Sequence, residues 1–294
     1  QVHFGVLAVD ARTGRILYSR NAHQKFVPAS NQKILVTATA ISLLGPSYHY
    51  GTEVWATGSV IGSLLDGDLV VLASGDPSMS DRYWESGEAS LAAIADSLYQ
   101  KGLRSVAGSV FVDVSAWDSS TVGPTWEVED LRFSHGATGG AFAIDEGEIS
   151  VIINAGPAVG SPANLEWFPK GTPDYVQTRI TTVPPDSGLQ VRSDYLPETR
   201  HLELTGQIEL YDTDTLTFAL RDPVRQATAA LDIALEQAGI ELQGGAQVAW
   251  SKGYRVGRGC LSGSVRECPN AGPILTLESP PLSELIAGIL KPSQ

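Results

Sequence analysis

Helical spacing of apolar residues is confined to four separated segments, and this pattern restricts the fold more than any other feature. Apolar residues recur at three- and four-residue intervals within residues 34–44, 91–98, 224–238 and 282–290. Most of the intervening sequence consists of short apolar runs interrupted by glycine and proline, which is typical of strands and turns. The pattern therefore predicts an α+β protein, and 294 residues are enough for two or three ordinary domains.

The first fifty residues predict a β-hairpin followed by a helix. Residues 2–9 form a near-continuous apolar run, 10–14 resemble a turn, and 15–18 resemble the returning strand. Helical spacing begins after Pro28 and stops at Gly45, which precedes a proline. Ser30 is therefore expected at or near the N-terminus of this helix.

Residues 147–210 predict a small all-β module. The segment is rich in proline and glycine, its apolar residues alternate, and it has no helical period. A helix is expected to follow directly, because Asp222 and Pro223 occupy the positions typical of an N-cap and a first helical residue. A strand at 246–250 and a short helix at 282–290 complete the pattern.

Composition and charge exclude several classes of protein. Of the 294 residues, 43% are hydrophobic and 18% charged, which is unlike an intrinsically disordered chain. No apolar run approaches the roughly 18 residues that a membrane-spanning helix needs. Acidic residues outnumber basic residues 33 to 20, which gives a formal charge of −13. This charge repels phosphates and anionic lipids, so nucleic acid is a poor candidate partner.

Two cysteines, Cys260 and Cys268, lie in a segment that contains glycine and serine. They lack the companion cysteine or histidine of a zinc site. Their proximity favours a local disulfide in an oxidising compartment, and two free thiols are the alternative. A bridge of this span would close a short loop and contribute on the order of 2 kcal/mol.

Ser30 and Lys33 form the most informative pair of candidate catalytic residues. Residues three apart lie on one face of a helix, so the lysine amine can reach the serine hydroxyl. A lysine with a lowered pKa can activate a serine nucleophile without histidine, and a helix N-terminus favours the developing negative charge. The alternative is that Ser30 simply caps the helix.

Other polar clusters carry weaker signals. Asp76 precedes a proline and is expected in a turn, and the acidic residues 145, 146 and 148 are expected in a solvated loop. The five histidines show no spacing typical of a zinc hydrolase, so no metal site is expected.

Several blocks of sequence, in a fixed order along nearly the whole chain, carry a family resemblance. They are GVLAVDARTGRILY at 5–18, PASNQK at 28–33, LLGPSYHY at 43–50, GDL at 67–69, SGDP at 74–77, GSV at 108–110, GPTWE at 123–127, RDP at 221–223 and ESPPLSE at 278–284. This order resembles the class C low-molecular-mass penicillin-binding proteins, the D-alanyl-D-alanine carboxypeptidase/endopeptidase family of serine peptidases.

The resemblance implies roles for three residues. Ser30 would be the nucleophile, Lys33 its general base, and Ser293 would relay a proton to the leaving D-alanine amine. The family's S-x-N motif includes an asparagine after the residue that matches Gln294, and its K-T-G motif follows later; neither is present in these 294 residues. We therefore expect this sequence to be the N-terminal portion of a longer protein, inactive without the C-terminal segment.

The family places two further domains between its first two motifs. By resemblance, residues 1–50 and 277–294 would form part of a serine DD-peptidase/β-lactamase-like catalytic domain. An inserted β-rich domain would span 51–148 and 216–276, with a small β domain nested within it at 149–215. Trp126, Glu129 and Ser134 match a stretch that contacts the diamino-acid side chain of the substrate. A buried tryptophan and a solvated glutamate are the alternative there.

The expected function is a serine DD-carboxypeptidase or DD-endopeptidase. Its substrates would be D-Ala-D-Ala ends or cross-links of peptidoglycan stem peptides, and β-lactams would be covalent inhibitors. No cofactor is expected, and the location would be extracytoplasmic. Two alternatives stay open: a β-lactam-hydrolysing or esterase relative, and a noncatalytic peptidoglycan-binding or scaffolding module.

Overall fold

The structure is a computed structural model of the 294-residue chain. It describes residues 3–118, 122, 126–169, 176–196, 201–250, 256–257, 260–261 and 272–292. Ser293 and Cys268 lie outside them, so their predicted roles stay predictions.

Four α-helices lie where helical spacing predicts them. They are α1 (Gln32–Leu44), α2 (Gly87–Gln100), α3 (Pro223–Gln237) and α4 (Leu282–Leu290). The N-terminus of α3 is capped as predicted, because the Asp222 side chain accepts a hydrogen bond from the Arg225 amide at 3.0 Å. Gly45 follows α1 with φ of 87°, a conformation that glycine adopts without strain.

The described residues also form short strands, which confirms the mixed α+β class. They are β1 (Val6–Val9), β2 (Ile16–Arg20), β3 (Gly51–Ala56), β4 (Ser59–Ile61), β5 (Leu64–Asp66), β6 (Leu69–Leu72), β7 (Ser105–Val106), β8 (Val110–Asp113), β9 (Glu148–Asn154), β10 (Asn164–Phe168), β11 (Val176–Val183), β12 (Gln190–Leu196), β13 (His201–Glu209), β14 (Thr213–Ala219), β15 (Glu241–Leu242), β16 (Ala246–Ala249), β17 (Val256–Gly257), β18 (Cys260–Leu261) and β19 (Leu275–Glu278).

The N-terminal segment exposes an unusual amount of apolar surface. β1 and β2 form the predicted antiparallel hairpin, although β1 begins at Val6. The apolar helix α1 buries only Thr37. Large apolar side chains are exposed on both elements, among them Leu17 at 57%, Leu35 at 63% and Leu43 at 77%. Exposure of so many large apolar side chains is typical of an interface.

A five-stranded mixed sheet and two helices enclose the first hydrophobic core. The strand order is β16-β8-β6-β3-β19, in which β6, β8 and β16 are parallel and β3 runs antiparallel to both β6 and β19. The amphipathic helices α2 and α3 supply buried side chains that include Leu91, Ile94, Leu98, Leu231 and Leu235. A smaller sheet, β15-β7-β5-β4, extends this unit.

A second hydrophobic core lies within residues 149–220. Two three-stranded sheets, β10-β9-β14 and β11-β13-β12, contribute to it. Its fully buried side chains include Val151, Ile153, Leu204 and Ile208. No described residue of 149–210 belongs to an α-helix, as the sequence pattern predicts. The predicted domain boundaries themselves stay a prediction.

The end of α1 is tied directly to the start of α4. The amides of Leu282 and Ser283 donate to the carbonyls of Tyr48 and Pro46, at 2.7 and 3.0 Å. β19 pairs with β3 immediately before this point, with Glu278 opposite Gly51. The chain thus leaves α1 and returns to α4 at adjacent positions.

None of the described helices is both long and apolar enough to cross a membrane.

We expect Gly288→Ala to destabilise the protein by about 1 kcal/mol, although alanine is the better helix former. A Cβ atom at this position would clash with the Tyr83 hydroxyl and lie 3.2 Å from its ring carbon Cζ. Tyr83→Phe removes that hydroxyl, so the double variant should recover most of the loss. Urea unfolding of wild type, both single variants and the double variant measures the coupling free energy between positions 288 and 83. Additive effects would contradict this contact.

Candidate active site

The chain brings Ser30 and Lys33 together at the beginning of α1. A short 3₁₀ helix, Ala29–Asn31, leads directly into α1, so the two residues lie one helical turn apart. Lys33 Nζ donates a hydrogen bond to Ser30 Oγ at 3.2 Å. Ser30 is exposed and Lys33 is half-buried. The pair therefore has the contact that proton transfer from a serine to a lysine requires.

Ser30 does not act as a helix cap in this structure. The N-cap of α1 is Asn31, and neither α1 nor the preceding 3₁₀ helix has a side-chain cap hydrogen bond. The Ser30 hydroxyl accepts from Lys33 instead. The first turn of α1 also carries no acidic residue that would oppose a developing negative charge there.

The backbone beside Ser30 is strained. Ala29 has φ of 46°, in the left-handed region that non-glycine residues rarely adopt. Such outliers cluster at active sites, where the surrounding structure holds the backbone in place. The strain supports a functional interpretation of this turn.

A cavity of about 400 Å³ lies between α4 and the loops near residues 75–83 and 134–146. Leu285 and Gly288 of α4 line one side, and Tyr83 and Ser134 contribute polar groups. The Thr138 hydroxyl also belongs to the lining residues and has no hydrogen-bond partner among the described atoms. Of the three predicted substrate-binding residues, Ser134 lines this cavity, whereas Trp126 and Glu129 lie outside its lining.

Asp76 is a polar residue of the cavity wall whose importance the sequence did not indicate. Its side chain is only 8% exposed, and Oδ1 accepts a hydrogen bond from the Ser78 amide at 2.8 Å. Burial raises the pKa of this carboxyl, and the Ser78 amide opposes the shift. The dipeptide Asp76-Pro77 predicted only a turn, because burial depends on the packing of distant segments.

The expectation of a solvated acidic loop at residues 145–148 is wrong. Asp145 accepts a hydrogen bond from the Gly87 amide at 2.9 Å, at the N-terminus of α2. Burial raises the pKa of Asp145 despite this bond. Glu146 is partly buried and forms an ion pair with Arg82. These carboxylates join the 145–148 turn to residues about 60 positions earlier, which no local pattern reveals.

Trp126 and Glu129 are exposed on the same surface loop. Trp126 is 41% exposed, and Glu129 lies in the 3₁₀ helix Val128–Arg132. The alternative of a buried tryptophan at this position is therefore wrong. His135, which follows closely, stacks on Phe133 with ring centroids 5.3 Å apart. His135 Nε2 also lies 3.3 Å from Asp130 Oδ1 in the same loop.

Comparisons with known proteins converge on one family. Residues 1–294 match the family model described as D-Ala-D-Ala carboxypeptidase 3 (S13). The D-alanyl-D-alanine carboxypeptidase of Actinomadura sp. (strain R39) is 28% identical over 248 residues, which cover 82% of this chain and 44% of that protein. D-alanyl-D-alanine carboxypeptidase DacB of Haemophilus influenzae is 22% identical over 242 residues, which cover 82% of this chain and 49% of that protein.

A solved structure shows the same fold. Penicillin binding protein 4 (dacB) from Haemophilus influenzae aligns with a TM-score of 0.73 and 20% identity, over 98% of this chain and 58% of that chain. This likeness confirms the predicted multidomain α+β fold. The chain spans about half the length of the curated relatives it matches.

We expect Asp76→Asn to stabilise the protein increasingly as the pH rises from 4 to 7. An asparagine oxygen can still accept from the Ser78 amide. Because the folded-state pKa of Asp76 is raised, the folded wild type binds its proton more tightly and loses stability as pH rises through that pKa. Urea unfolding at several pH values measures the difference in the free energy of unfolding between variant and wild type.

Gln100→Asn is the control, because Gln100 is exposed at the end of α2 and neither amide side chain titrates. The difference in unfolding free energy between this variant and wild type should stay nearly constant over the same pH range. A pH-independent difference for Asp76→Asn would contradict the assigned burial of Asp76.

Proposed function

Because this chain belongs to the D-Ala-D-Ala carboxypeptidase 3 (S13) family, we propose that Ser30 is the nucleophile of a serine DD-carboxypeptidase or DD-endopeptidase. The family resemblance in the sequence is thereby confirmed. The observation that carries the proposal is the hydrogen bond from Lys33 Nζ to Ser30 Oγ. The substrate would be a peptidoglycan stem peptide that ends in, or is cross-linked through, D-Ala-D-Ala.

The first step forms an ester on Ser30. Ser30 Oγ attacks the carbonyl carbon between the two D-alanines, and Lys33 Nζ takes the hydroxyl proton as the general base. The C–N bond then breaks, and the departing amine receives a proton. We assign that delivery to Ser293, which follows α4 in the sequence. Water later hydrolyses the ester and releases the shortened peptide.

A β-lactam would follow the same first step with one difference. Ser30 would open the cyclic amide, and the amine would stay attached to the acyl group because it belongs to the same molecule. No fragment departs, so the protein would gain the mass of one whole inhibitor. This makes β-lactam acylation a direct assay for the nucleophile.

Catalysis would require further polypeptide that covers the exposed apolar face of the N-terminal segment. An acyl-transfer site must exclude water and supply oxyanion donors. Val27 is 90% exposed and Leu35 is 63% exposed, on either side of Ser30 in the sequence. We propose that a segment equivalent to the remaining half of the relatives covers this face and completes the catalytic domain.

Trp126, Glu129 and Ser134 would recognise the diamino-acid side chain of the stem peptide. The exposed Glu129 carboxylate is suited to pair with an ammonium group, and the Trp126 ring offers an apolar wall. Such a substrate lies in the cell wall, so the protein would act outside the cytoplasm. A disulfide between Cys260 and Cys268 is compatible with that location.

The decisive experiment is intact-mass analysis of the longest natural polypeptide that carries this sequence, before and after incubation with benzylpenicillin. We expect an adduct of one inhibitor mass, located on Ser30 by peptide mapping. Ser30→Ala should abolish it. Lys33→Arg should slow acylation by about 100-fold or more, because a guanidinium cannot act as the base.

Ser42→Ala is the matched control, because Ser42 is an exposed serine on the same helix. It should be acylated at the wild-type rate. An adduct on another residue would refute the assignment of Ser30. A folded protein that binds peptidoglycan and never acquires penicillin would instead support the noncatalytic alternative.

A further inference from the structure

Ser279 uses all of its hydrogen-bonding groups at the junction between α1 and α4. Its side chain is almost completely buried, with 4% exposure. The hydroxyl accepts from the Tyr50 amide at 3.0 Å and donates to the Pro280 carbonyl at 2.7 Å. Its amide donates to the Tyr50 carbonyl at 2.9 Å, and its carbonyl accepts from His49 Nδ1 at 2.7 Å.

These bonds join the segment that follows α1 to the segment that precedes α4. His49 and Tyr50 follow α1, whose first turn holds Lys33, and Ser279 precedes α4 by three residues. Next to them, the first amides of α4 bond to Tyr48 and Pro46, and α1 and α4 contact each other. A shift at Ser279 would therefore move the start of α4 relative to α1.

We propose that Ser279 is a positioning residue, which sets the placement of α4 relative to Ser30 and Lys33; Ser293, the proposed proton donor, follows α4 in the sequence. This inference rests on the proposed function of those residues. Ser279 does not touch the reacting atoms; it acts through two helices. Rates of acyl transfer are sensitive to such placement, because an error near 1 Å can cost about 100-fold.

The hydroxyl is the group that this role requires. Alanine would leave the Tyr50 amide without its side-chain acceptor at a half-buried position, and the Pro280 carbonyl without its donor. Threonine would retain the hydroxyl. Ser283 provides a matched control, because it lies four residues later with an exposed side chain and only its backbone amide joins the junction.

The test measures benzylpenicillin acylation of the longest natural polypeptide by stopped flow, with the binding constant Kd separated from the acylation rate constant k2. We expect Ser279→Ala to lower k2 by about tenfold or more with Kd within about twofold. Ser279→Thr should recover most of the loss, and Ser283→Ala should match wild type. Rates are divided by the folded fraction, measured by near-ultraviolet circular dichroism.

Amide hydrogen exchange gives a readout that does not depend on catalysis. Exchange of the segment 282–290 should accelerate in Ser279→Ala and stay unchanged in Ser283→Ala, because only the former loosens the start of α4. His49→Ala, which removes one side-chain bond at an exposed residue, should lower k2 by about threefold. If Ser279→Ala does not fold, the His49→Ala variant takes its place in this test.

The possible failures are distinguishable. If wild type is acylated and Ser279→Ala keeps the wild-type k2 after division by its folded fraction, the positioning role is wrong and the proposed function stands. If wild type is never acylated, the proposed function is wrong and the positioning role falls with it. A drop in k2 with unchanged Kd, rescued by threonine, supports both.

Discussion

The hydrogen bonds between residues 46–51 and 278–283 are the constraint on which the rest of this structure depends. Tyr50 and Ser279 are 229 positions apart in sequence, yet they exchange bonds through backbone and side chain. The β3–β19 ladder continues directly into this contact. The long β-rich segment between α1 and α4 therefore begins and ends at paired residues. Because the entropy cost of loop closure grows only slowly with loop length, a segment of this size can lie between two helices that remain in contact.

This arrangement explains how a site can be assembled from distant parts of a chain. Ser30 and Lys33 need only one turn of helix to meet, so their contact is local. The placement of α4 is not local, and it depends on buried polar groups that must all be satisfied. Tyr83 packs against Gly288 from another segment and adds a second restraint on the same helix. Residues outside both helices thus help to hold α4 in place.

The sequence predicted what short-range physics determines. The sequence located the four described helices by the spacing of apolar residues, and it predicted the N-cap at Asp222 and the Ser30–Lys33 contact from local motifs. Each of these features depends on residues within a few turns. The sequence did not identify the roles of Asp76, Asp145 or Ser279. Asp145 accepts a hydrogen bond from the first amide of a helix that begins 58 positions earlier, and Ser279 bonds to Tyr50 across most of the chain. Such partners are set by tertiary packing, which leaves no periodic signal in the sequence.

The distribution of apolar exposure argues that this chain has one self-contained part and one that needs a partner surface. The two cores between residues 54 and 240 bury their large aliphatic side chains almost completely. The hairpin and α1 do the opposite: α1 is strongly apolar and buries only Thr37. A helix that is apolar on most sides is stable only when it is surrounded. The strained turn that holds Ser30 lies at the beginning of this helix. A covering surface would therefore also enclose the proposed nucleophile, and folding of that unit and assembly of the proposed active site would be the same event.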